Sequence, residues 1–313
     1  MSGLRVERTL GLAQLQDCGR FGTRHIGVTQ GGALDWIAAA WANRLLGNTA
    51  DCAVLEIPFG GVTLLCQQRS TLAITGGDLQ ATLDGQPLAN WQSFTVRPGQ
   101  QLVFATPASG ARGYLAAPGG MDAPLLLGSR STVRREQLGG LHGDGEALRV
   151  GDLLTIGSST PAPAHVPELH RLASAATSRL DLVVGSQIAL FSGRSLFAAF
   201  NEPWQVDQRA DRMGLRLCGP ALHYQGQPMI SEGIPLGAVQ VPPDGQPIIL
   251  LNDRQTIGGY PRLGALTPAS VARLAQCAPG DTLWLRPVPL ERALREQREI
   301  LDALVNAPLV RLP

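Results

Sequence analysis

The sequence predicts a mainly β fold with a few short helices, divided into two domains. Three observations support this prediction. The chain has 313 residues, about twice an average domain of roughly 150 residues. Glycine (37 residues) and proline (23) are abundant, whereas aromatic residues make up only 5% of the chain. Short apolar runs separated by turn residues recur along the sequence, and this pattern is typical of antiparallel sandwiches and barrels.

The predicted strands follow a mixed N-terminal region. They occupy residues 62–65, 71–74, 80–83, 93–96, 102–105, 113–116, 182–184 and 248–251. Turn-forming residues stand between consecutive runs, so neighbouring strands are expected to pair in antiparallel fashion.

The first predicted helix covers residues 36–46. Ile37, Trp41 and Leu45 recur at i, i+4 and i+8 and would share one buried stripe of this helix. Gly47 follows directly and provides a signal for the helix to end.

Three further helices are predicted in the second half. Residues 195–200 read as a short helix, and Thr267-Pro268 provides an N-cap and a first helical position for a helix that ends near residue 276. Residues 290–304 are amphipathic. We expect this last helix to dock on the body of the protein, and a helix that binds a partner is the alternative.

The domain boundary is predicted near residue 160. Residues 158–178 lose the alternation of strands and turns and contain three prolines. The prediction is therefore an N-terminal domain at 1–160, a linker at 161–178, and a C-terminal domain with a terminal helix at 179–313.

Two short motifs recur in both halves of the chain. Residues 84–88 (DGQPL) match 244–248 (DGQPI), and the Pro-Gly pair at 98–99 matches the pair at 279–280. The order of the motifs favours two similar β-barrels in tandem, although turn chemistry alone could also produce them.

The composition excludes several classes of protein. All 26 basic residues are arginine and the chain contains no lysine. A self-sufficient P-loop NTPase, a Schiff-base enzyme and a carrier with covalently attached biotin all require lysine and are excluded. The net charge of +1 argues against a nucleic-acid-binding face or an anionic membrane surface as partner, because both need an excess of basic residues.

Cysteine and histidine usage indicates a cytoplasmic protein without a metal site. The five cysteines are far apart and form no C-x-x-C pair, and the five histidines lack the spacing of metal ligands. The N-terminus has no apolar run of a signal peptide, and no apolar stretch approaches the length of a membrane span. We therefore expect no metal bound by this chain and a reducing compartment.

Three segments combine glycine, arginine, amide and carboxylate side chains more densely than turns require. They span residues 15–35, 209–217 and 231–262. Glycine lets backbone N–H groups approach a ligand, arginine donates a forked pair of hydrogen bonds to carboxylate or phosphate, and carboxylates supply a base or a ligand for Mg²⁺. Any single residue could equally form a turn or a surface ion pair, but together the segments favour a functional site.

In these segments the sequence resembles a known family. The resemblance rests on QDCGRFG, GVTQGGALD, AAWANRLLGN, LEIPFGG, GYLAAPGGMDAPLLLGSRST, DRMGLRL, SEGIPLGAVQVPPDGQPIILLNDRQTIGGYPR and LAQCAPGD, which run in order over nearly the whole chain. These motifs are similar to those of the C component of 5-oxoprolinase, of KipA-like proteins, and of the allophanate-hydrolase-subunit-2-like half of biotin-dependent carboxyltransferases such as urea carboxylase.

The resemblance implies a fold, a reaction and partners. It implies two tandem cyclophilin-like β-barrel domains, and an assembly with the homologous B component (KipI-like) and the A component of 5-oxoprolinase. Such an assembly hydrolyses 5-oxo-L-proline to L-glutamate at the expense of ATP and Mg²⁺, and this chain would be active only within it. No covalent biotin is expected on this chain.

The hypothesis for the site follows from the chemistry of this reaction. A lactam is a stable amide, so the site needs cations for developing charge, a carboxylate for acid–base or metal duty, and amides that orient the ring. The candidate catalytic residues are Asp17, Glu232 and Asp253, and the candidate substrate- or phosphate-binding residues are Arg20, Arg212, Gln240, Arg254, Tyr260 and Arg262.

Two alternative functions remain open from the sequence. The chain could be a carboxyltransferase module that uses carboxybiotin, carried on another polypeptide, on an amide or urea-type substrate. It could also be a KipA-like regulator that binds a kinase inhibitor and performs no chemistry.

Overall fold

The computed structural model describes residues 3–171, 178–227 and 229–311, and the chain divides into two compact units. The first unit comprises Met1–Phe21, Gly31–Ser174 and Ala303–Pro313, and the second comprises Gly22–Gln30 and Ala175–Asp302. Two short segments, 22–30 and 303–313, therefore belong to a different unit from the rest of their half of the sequence. Residues 172–177 of the predicted linker lie outside the described residues.

The regular elements are mostly short. In chain order, the strands of the described residues are β1 (Gly3–Arg8), β2 (Gln14–Gln16), β3 (Val54–Pro58), β4 (Val62–Cys66), β5 (Ser70–Asp78), β6 (Thr82–Leu83), β7 (Gln86–Pro87), β8 (Gln92–Val96), β9 (Gln101–Phe104), β10 (Ser109–Ala116), β11 (Leu153–Thr155), β12 (Ala164–His165), β13 (Ser178–Val184), β14 (Trp204–Val206), β15 (Gly214–Cys218), β16 (Glu232–Gly233), β17 (Ala238–Gln240), β18 (Ile248–Leu250), β19 (Ile257–Gly258), β20 (Arg262–Leu266), β21 (Thr282–Val288) and β22 (Val310–Arg311). The α-helices of the same residues are α1 (Trp36–Leu45), α2 (Gly193–Asn201), α3 (Pro268–Leu274) and α4 (Leu290–Asn306), and 3₁₀ turns cover Arg24–Ile26, Arg134–Glu136, Glu168–His170 and Ile188–Leu190.

The first unit contains two antiparallel sheets around one apolar core. Their strand orders are β11-β1-β4-β9-β6-β7 and β2-β3-β10-β5-β8-β12-β22. Leu4 and Leu64 of one sheet and Leu72 and Leu115 of the other belong to the same buried cluster. Burial of these side chains, at roughly 1.5–3 kcal/mol each, is the main force that holds the two sheets together.

Helix α1 begins where the sequence predicts it. The Asp35 side chain accepts a hydrogen bond from Ala38 N (2.9 Å) and caps the helix, and Gly47 has a φ of 72° just beyond its end. Trp41 is 1% exposed, so the predicted apolar stripe is buried. Arg44 stacks over the Trp41 ring at 4.9 Å and donates to the carbonyls of Ala303 and Ala307, which fastens the C-terminal segment to the first unit.

The second unit is built on a closed barrel. The strand order is β13-β20-β17-β18-β15-β14-β21, and the barrel closes where β21 pairs in parallel with β13. At this parallel seam Asp181 lies opposite Arg286. The Arg286 guanidinium donates to both oxygens of Asp181, from Nε at 2.6 Å and from Nη2 at 2.9 Å.

The predicted fold class is confirmed: the chain is mainly β with a few short helices. The closed barrel belongs to the second unit, whereas the first unit consists of two sheets. Each of the four predicted helices overlaps an observed one, and each predicted strand overlaps an observed strand. The predicted strands correspond to β4, β5, β6, β8, β9, β10, β13 and β18, and the other described strands, among them β1, β3 and β21, had no prediction.

The repeated motifs form partly similar structures. Gly99 and Gly280 have φ values of 86° and 93° in turns that lead into β9 and β21, so the Pro-Gly pairs are equivalent locally. At residues 84–85 the backbone forms the hairpin turn between β6 and β7, with positive φ at both positions, whereas residues 244–245 lead into β18.

Helix α4 has one buried side and exposed apolar residues on another. Ala293 is buried, and Arg273 of α3 forms an ion pair with Glu296 at 2.9 Å. Leu290, Leu294, Leu301 and Val305 are exposed. Within the described residues, no helix combines the length and apolar character that crossing a membrane requires.

The ion pair at the barrel seam provides a test of the fold. Asp181 is 3% exposed, so Asp181→Asn removes a charged acceptor from a largely buried position. We expect a loss of about 1–3 kcal/mol in the free energy of unfolding, measured by chemical denaturation. The matched control is Arg209→Gln, which removes the solvent-exposed pair with Asp207 and is expected to cost less than about 1 kcal/mol. An equal loss of unfolding free energy in both variants would contradict the expectation that the buried ion pair at the seam stabilises the fold more than an exposed pair does.

Candidate functional site

The nine candidate residues fall in both units. Asp17 and Arg20 belong to the first unit, and the other seven belong to the second.

Asp17 is a buried hydrogen-bond acceptor at the end of β2. Its Oδ1 accepts from the hydroxyls of Ser129 (2.6 Å) and Ser131 (2.5 Å) and from Gly19 N (2.8 Å). Its Oδ2 accepts from Arg130 N at 2.6 Å. These donors belong to the segments QDCGRFG and GSRST, so the Asp17 carboxylate joins two sequence motifs that are more than 100 residues apart.

Arg20 is fully buried and holds the same loop through main-chain carbonyls. Its Nη2 donates to Ser131 O at 2.8 Å and its Nε to Leu126 O at 3.2 Å. Gly139, with a φ of 75°, lies so close that a Cβ there would stand 2.4 Å from the Arg20 guanidinium. A glycine is therefore required beside this side chain, and the assignment of Arg20 to substrate binding stays a prediction.

A second buried cluster in the first unit was missed by sequence reasoning. Glu56 of β3 is 0% exposed, and its Oε2 accepts from Leu34 N and from the Tyr114 hydroxyl, both at 2.9 Å. The same hydroxyl accepts from Asp35 N at 2.8 Å. Burial, together with the charges of Glu56 and Asp35, raises the pKa of Tyr114 well above its ordinary value. The signal available in the sequence was the glutamate inside the apolar run VLEIP.

In the second unit, Arg212 and Asp253 form a bidentate ion pair. Arg212 Nε and Nη2 donate to the two oxygens of Asp253 at 3.0 and 3.2 Å. The backbone N–H of Asp253 also donates to the Arg212 carbonyl at 2.9 Å. Both side chains are at most 14% exposed, so the pair is fixed in a setting where charge interactions are strong.

Arg254 lies next to this pair and packs with a second arginine, Arg24. Arg254 donates to the carbonyls of Ile234 (3.1 Å) and Leu251 (3.2 Å), and Arg24 donates to the same Ile234 carbonyl at 2.8 Å. Burial and the neighbouring Arg24 charge lower the pKa of Arg254 to about 9, so this side chain is still a cation at neutral pH. Nη1 of Arg24 is buried and has no hydrogen-bond partner among the described residues.

Glu232 and Arg262 form a further ion pair, ordered by an amide. Arg262 Nη2 donates to Glu232 Oε1, and Gln187 Nε2 donates to the same oxygen at 2.7 Å. The Gln187 carbonyl oxygen accepts from Arg262 N at 2.7 Å. Gln187 was missed by sequence reasoning, because nothing local distinguishes it from any other loop glutamine.

Gln240 and Tyr260 lie near this second pair. Gln240 pairs with Arg262 between β17 and β20, is 2% exposed, and its Nε2 lies 3.5 Å from the Tyr260 carbonyl. The Tyr260 side chain is 48% exposed. The two ion pairs are connected, because Glu232 and Gly233 lead directly into Ile234, whose carbonyl holds both Arg24 and Arg254.

The second unit therefore offers one polar surface of guanidinium, carboxylate and amide groups. It can bind an anion through arginine and can present a fixed carboxylate as a base. Among the described residues, no three His, Cys, Asp or Glu side chains form a group that could hold a metal ion.

Comparison with known proteins gives a family match over most of the chain. A family model described as "Carboxyltransferase domain, subdomain A and B" matches residues 26–287. The chain is 36% identical over 294 residues to the C component of 5-oxoprolinase from Haemophilus influenzae, covering 92% of this chain and 93% of that protein. It is 35% identical over 297 residues to the C component of 5-oxoprolinase from Escherichia coli, covering 95% and 94%.

A solved structure agrees in fold. The crystal structure of the K. lactis urea amidolyase superposes with a TM-score of 0.91 at 27% identity, covering 97% of this chain and 20% of that one. The chain thus spans about a fifth of the length of that enzyme.

The Tyr114 cluster provides a pH-dependent test. Tyr114→Phe removes a donor to Glu56 and an acceptor for Asp35 N, so we expect a loss of about 1–3 kcal/mol in the free energy of unfolding at neutral pH. Because the pKa of Tyr114 is raised in the folded state, its contribution is fully present below the ordinary tyrosine pKa of about 10 and decreases as the pH rises above it.

The measurement is chemical denaturation of both proteins between neutral and alkaline pH. The difference between wild type and Tyr114→Phe should be constant up to the ordinary tyrosine pKa and shrink beyond it. Tyr224→Phe, which affects a ring packed edge-on against Phe191, serves as control. A difference that stays constant at alkaline pH would refute the expected ionisation behaviour.

Proposed function

The chain belongs to the family of carboxyltransferase domains, subdomains A and B, and from this membership we propose that it acts as the C component of an ATP-dependent 5-oxoprolinase. The observation that carries the proposal is 35–36% identity to two proteins of that name along more than 90% of both chains. In this proposal the assembly hydrolyses 5-oxo-L-proline to L-glutamate.

The proposed partners follow from the names of these relatives, which describe each of them as one subunit of an enzyme. The homologous B component (KipI-like) and the A component would complete the assembly, and turnover would need all of them. All five cysteines are free thiols, which supports a reducing compartment and hence a cytoplasmic location.

The proposed chemistry overcomes the stability of the lactam by phosphorylation. The lactam oxygen attacks the γ-phosphorus of ATP, the new O–P bond forms, and ADP leaves. Water then adds to the activated carbon, the ring C–N bond breaks, and the nitrogen takes a proton to become the amine of glutamate. A second water hydrolyses the resulting acyl phosphate to carboxylate and phosphate.

The polar surface of the second unit supplies suitable groups for these steps. Asp253, held on both oxygens by Arg212, is a candidate base for the attacking water. Arg254 stays cationic at neutral pH, because its pKa is about 9, and is a candidate for the substrate carboxylate or phosphate. Since the chain has no lysine, its phosphate contacts must come from guanidinium and backbone N–H groups.

Glu232, Arg262, Gln240 and Tyr260 would orient the ring in the same proposal, with Glu232 as the alternative acid–base group. Asp17 stays a candidate catalytic carboxylate and Arg20 a candidate for binding the substrate carboxylate or phosphate, and both hold the loop around residues 126–131. Mg²⁺ would accompany ATP as part of the nucleotide substrate. The proposed steps assign it no further role.

A carboxyltransferase activity is the second candidate. It is favoured by the family match and by the TM-score of 0.91 with a urea amidolyase. Because the chain has no lysine, carboxybiotin would have to be presented by another polypeptide. Carboxyl exchange that is stimulated by biotin, without phosphate release dependent on 5-oxoproline, would identify this activity instead.

The test of the main proposal uses the reconstituted assembly. Phosphate release that depends on both ATP and 5-oxoproline should appear only when this chain and its partners are combined. Asp253→Asn and Arg212→Gln should each lower this rate by at least about tenfold, because the first removes the candidate base and the second removes the side chain that holds it in place.

The matched control is Asp244→Asn, which breaks the more exposed ion pair with Arg216 in the same unit and should leave turnover unchanged. Thermal unfolding and co-purification with the partners show whether each variant is folded and assembled. Wild-type turnover in both Asp253→Asn and Arg212→Gln would discard the assignment of this pair.

A further inference from the structure

The described part of the first unit contains a pocket. None of the nine candidate residues is among the residues that line it. Its volume is about 440 Å³, and its wall is formed by the segments 49–53, 118–122 and 155–157 together with Arg130. This volume lies in the range of small-molecule sites in proteins. Residues 118–122 and Arg130 of this wall belong to the motif GYLAAPGGMDAPLLLGSRST, and the proposed chemistry gives none of them a role.

Main-chain hydrogen bonds fix the shape of this pocket. Met121 N donates to Ala53 O at 2.9 Å, Asp122 N to Thr155 O at 3.1 Å, and Gly157 N to Pro118 O at 3.1 Å. Each of the three segments is thereby bonded to another. The pocket is therefore formed before any ligand arrives, which lowers the entropy cost of binding.

Arg130 supplies the positive charge of the pocket. Its backbone is held on both sides, because Arg130 N donates to Asp17 Oδ2 at 2.6 Å and its carbonyl accepts from Gly140 N at 3.0 Å. Its Nε is buried and has no hydrogen-bond partner among the described residues. Its ion pair, with Asp122, is long (3.8 Å), and the Asp122 side chain is 73% exposed. The remainder of the Arg130 side chain is open to a ligand, because the side chain as a whole is 35% exposed.

Two carboxylates, Asp51 and Asp122, line the same pocket. A ligand that carried only negative charge would be attracted by Arg130 and repelled by both of them. A ligand that carried only positive charge would be attracted by both carboxylates and repelled by Arg130. Both requirements are met by a molecule with a carboxylate and an ammonium group.

We propose that this pocket binds a small zwitterion of the α-amino acid class, with the ligand carboxylate on Arg130 and the ligand ammonium at Asp51 or Asp122. Met121 and Ile156, which also line the pocket, provide apolar surface for the ligand side chain. The site is independent of the reaction proposed above, because it lies within the first unit and needs neither ATP nor partner proteins.

The experiment measures binding to the purified full chain alone, by calorimetry and by ligand-observed NMR. The probes are L-glutamate, L-alanine and L-leucine, with propionate and ethylamine as compounds that keep only one of the two charged groups. At least one amino acid should bind at millimolar or lower concentration, and more tightly than both single-charge compounds. Failure of all three amino acids to bind, or equal binding of propionate, would overturn the proposal.

Variants locate the site. Arg130→Gln should weaken binding of the amino acid by about tenfold or more, as expected for loss of a charge-assisted bidentate contact, while its backbone bond to Asp17 is retained. Asp51→Asn combined with Asp122→Asn should weaken binding of the amino acid but not of propionate. The matched control is Arg149→Gln, which removes an exposed arginine paired with Asp144 in the same unit. Unchanged affinity in Arg130→Gln would contradict the assignment.

A second readout on the wild-type chain needs no variant. Cys52 lines the pocket and is partly exposed, so a bound amino acid should slow its alkylation by iodoacetamide. Mass spectrometry resolves this from alkylation of Cys218, a partly exposed free thiol of the second unit whose rate should not change. Equal rates at Cys52 with and without the amino acid would place the ligand elsewhere and overturn the proposal.

Discussion

Burying a carboxylate is unfavourable unless hydrogen-bond donors replace the lost water, and the first unit is organised around such a replacement at Asp17. Two serine hydroxyls and two backbone N–H groups converge on its oxygens. The loop that supplies most of these donors also receives the Arg20 side chain and contributes Arg130 to the pocket of the first unit. Motifs far apart in the sequence thus depend on one charged group, whose burial is possible only when all of them are in place.

The second unit uses arginine where many proteins would combine arginine with lysine. One terminal nitrogen of Arg24 reaches three main-chain carbonyls, and Arg254 reaches two. Arg254 reaches its two carbonyls from two different nitrogens, Nε and Nη1, whereas a lysine side chain would have only one nitrogen for both. The guanidinium groups of Arg24 and Arg254 therefore order the loops at 234 and 251–256.

Local chemistry was sufficient to predict some elements and insufficient for others. Helix α3 could be predicted, because Thr267 and Pro268 specify its first turn without help from distant residues. Strand β3 could not, because Glu56 interrupts its apolar pattern and is tolerated through distant partners that include Tyr114 and Leu34. The same holds for the candidate site. Arg212 and Asp253 could be selected from their own motifs, whereas Gln187 could be recognised as part of the site only from the fold, which brings it to Glu232. Side chains whose partners lie far away in sequence carry no local signal.

The parallel seam of the barrel has a consequence for biosynthesis. The first and last strands of the second unit, β13 and β21, pair with each other, so the barrel cannot close on the ribosome until the chain has emerged beyond Val288. The first unit has to wait in a similar way for β22, which pairs with β12. Neither unit can therefore complete its fold until nearly all of these residues have been synthesised. Apolar strands and unpaired strand edges stay exposed in the meantime, and such surfaces promote aggregation.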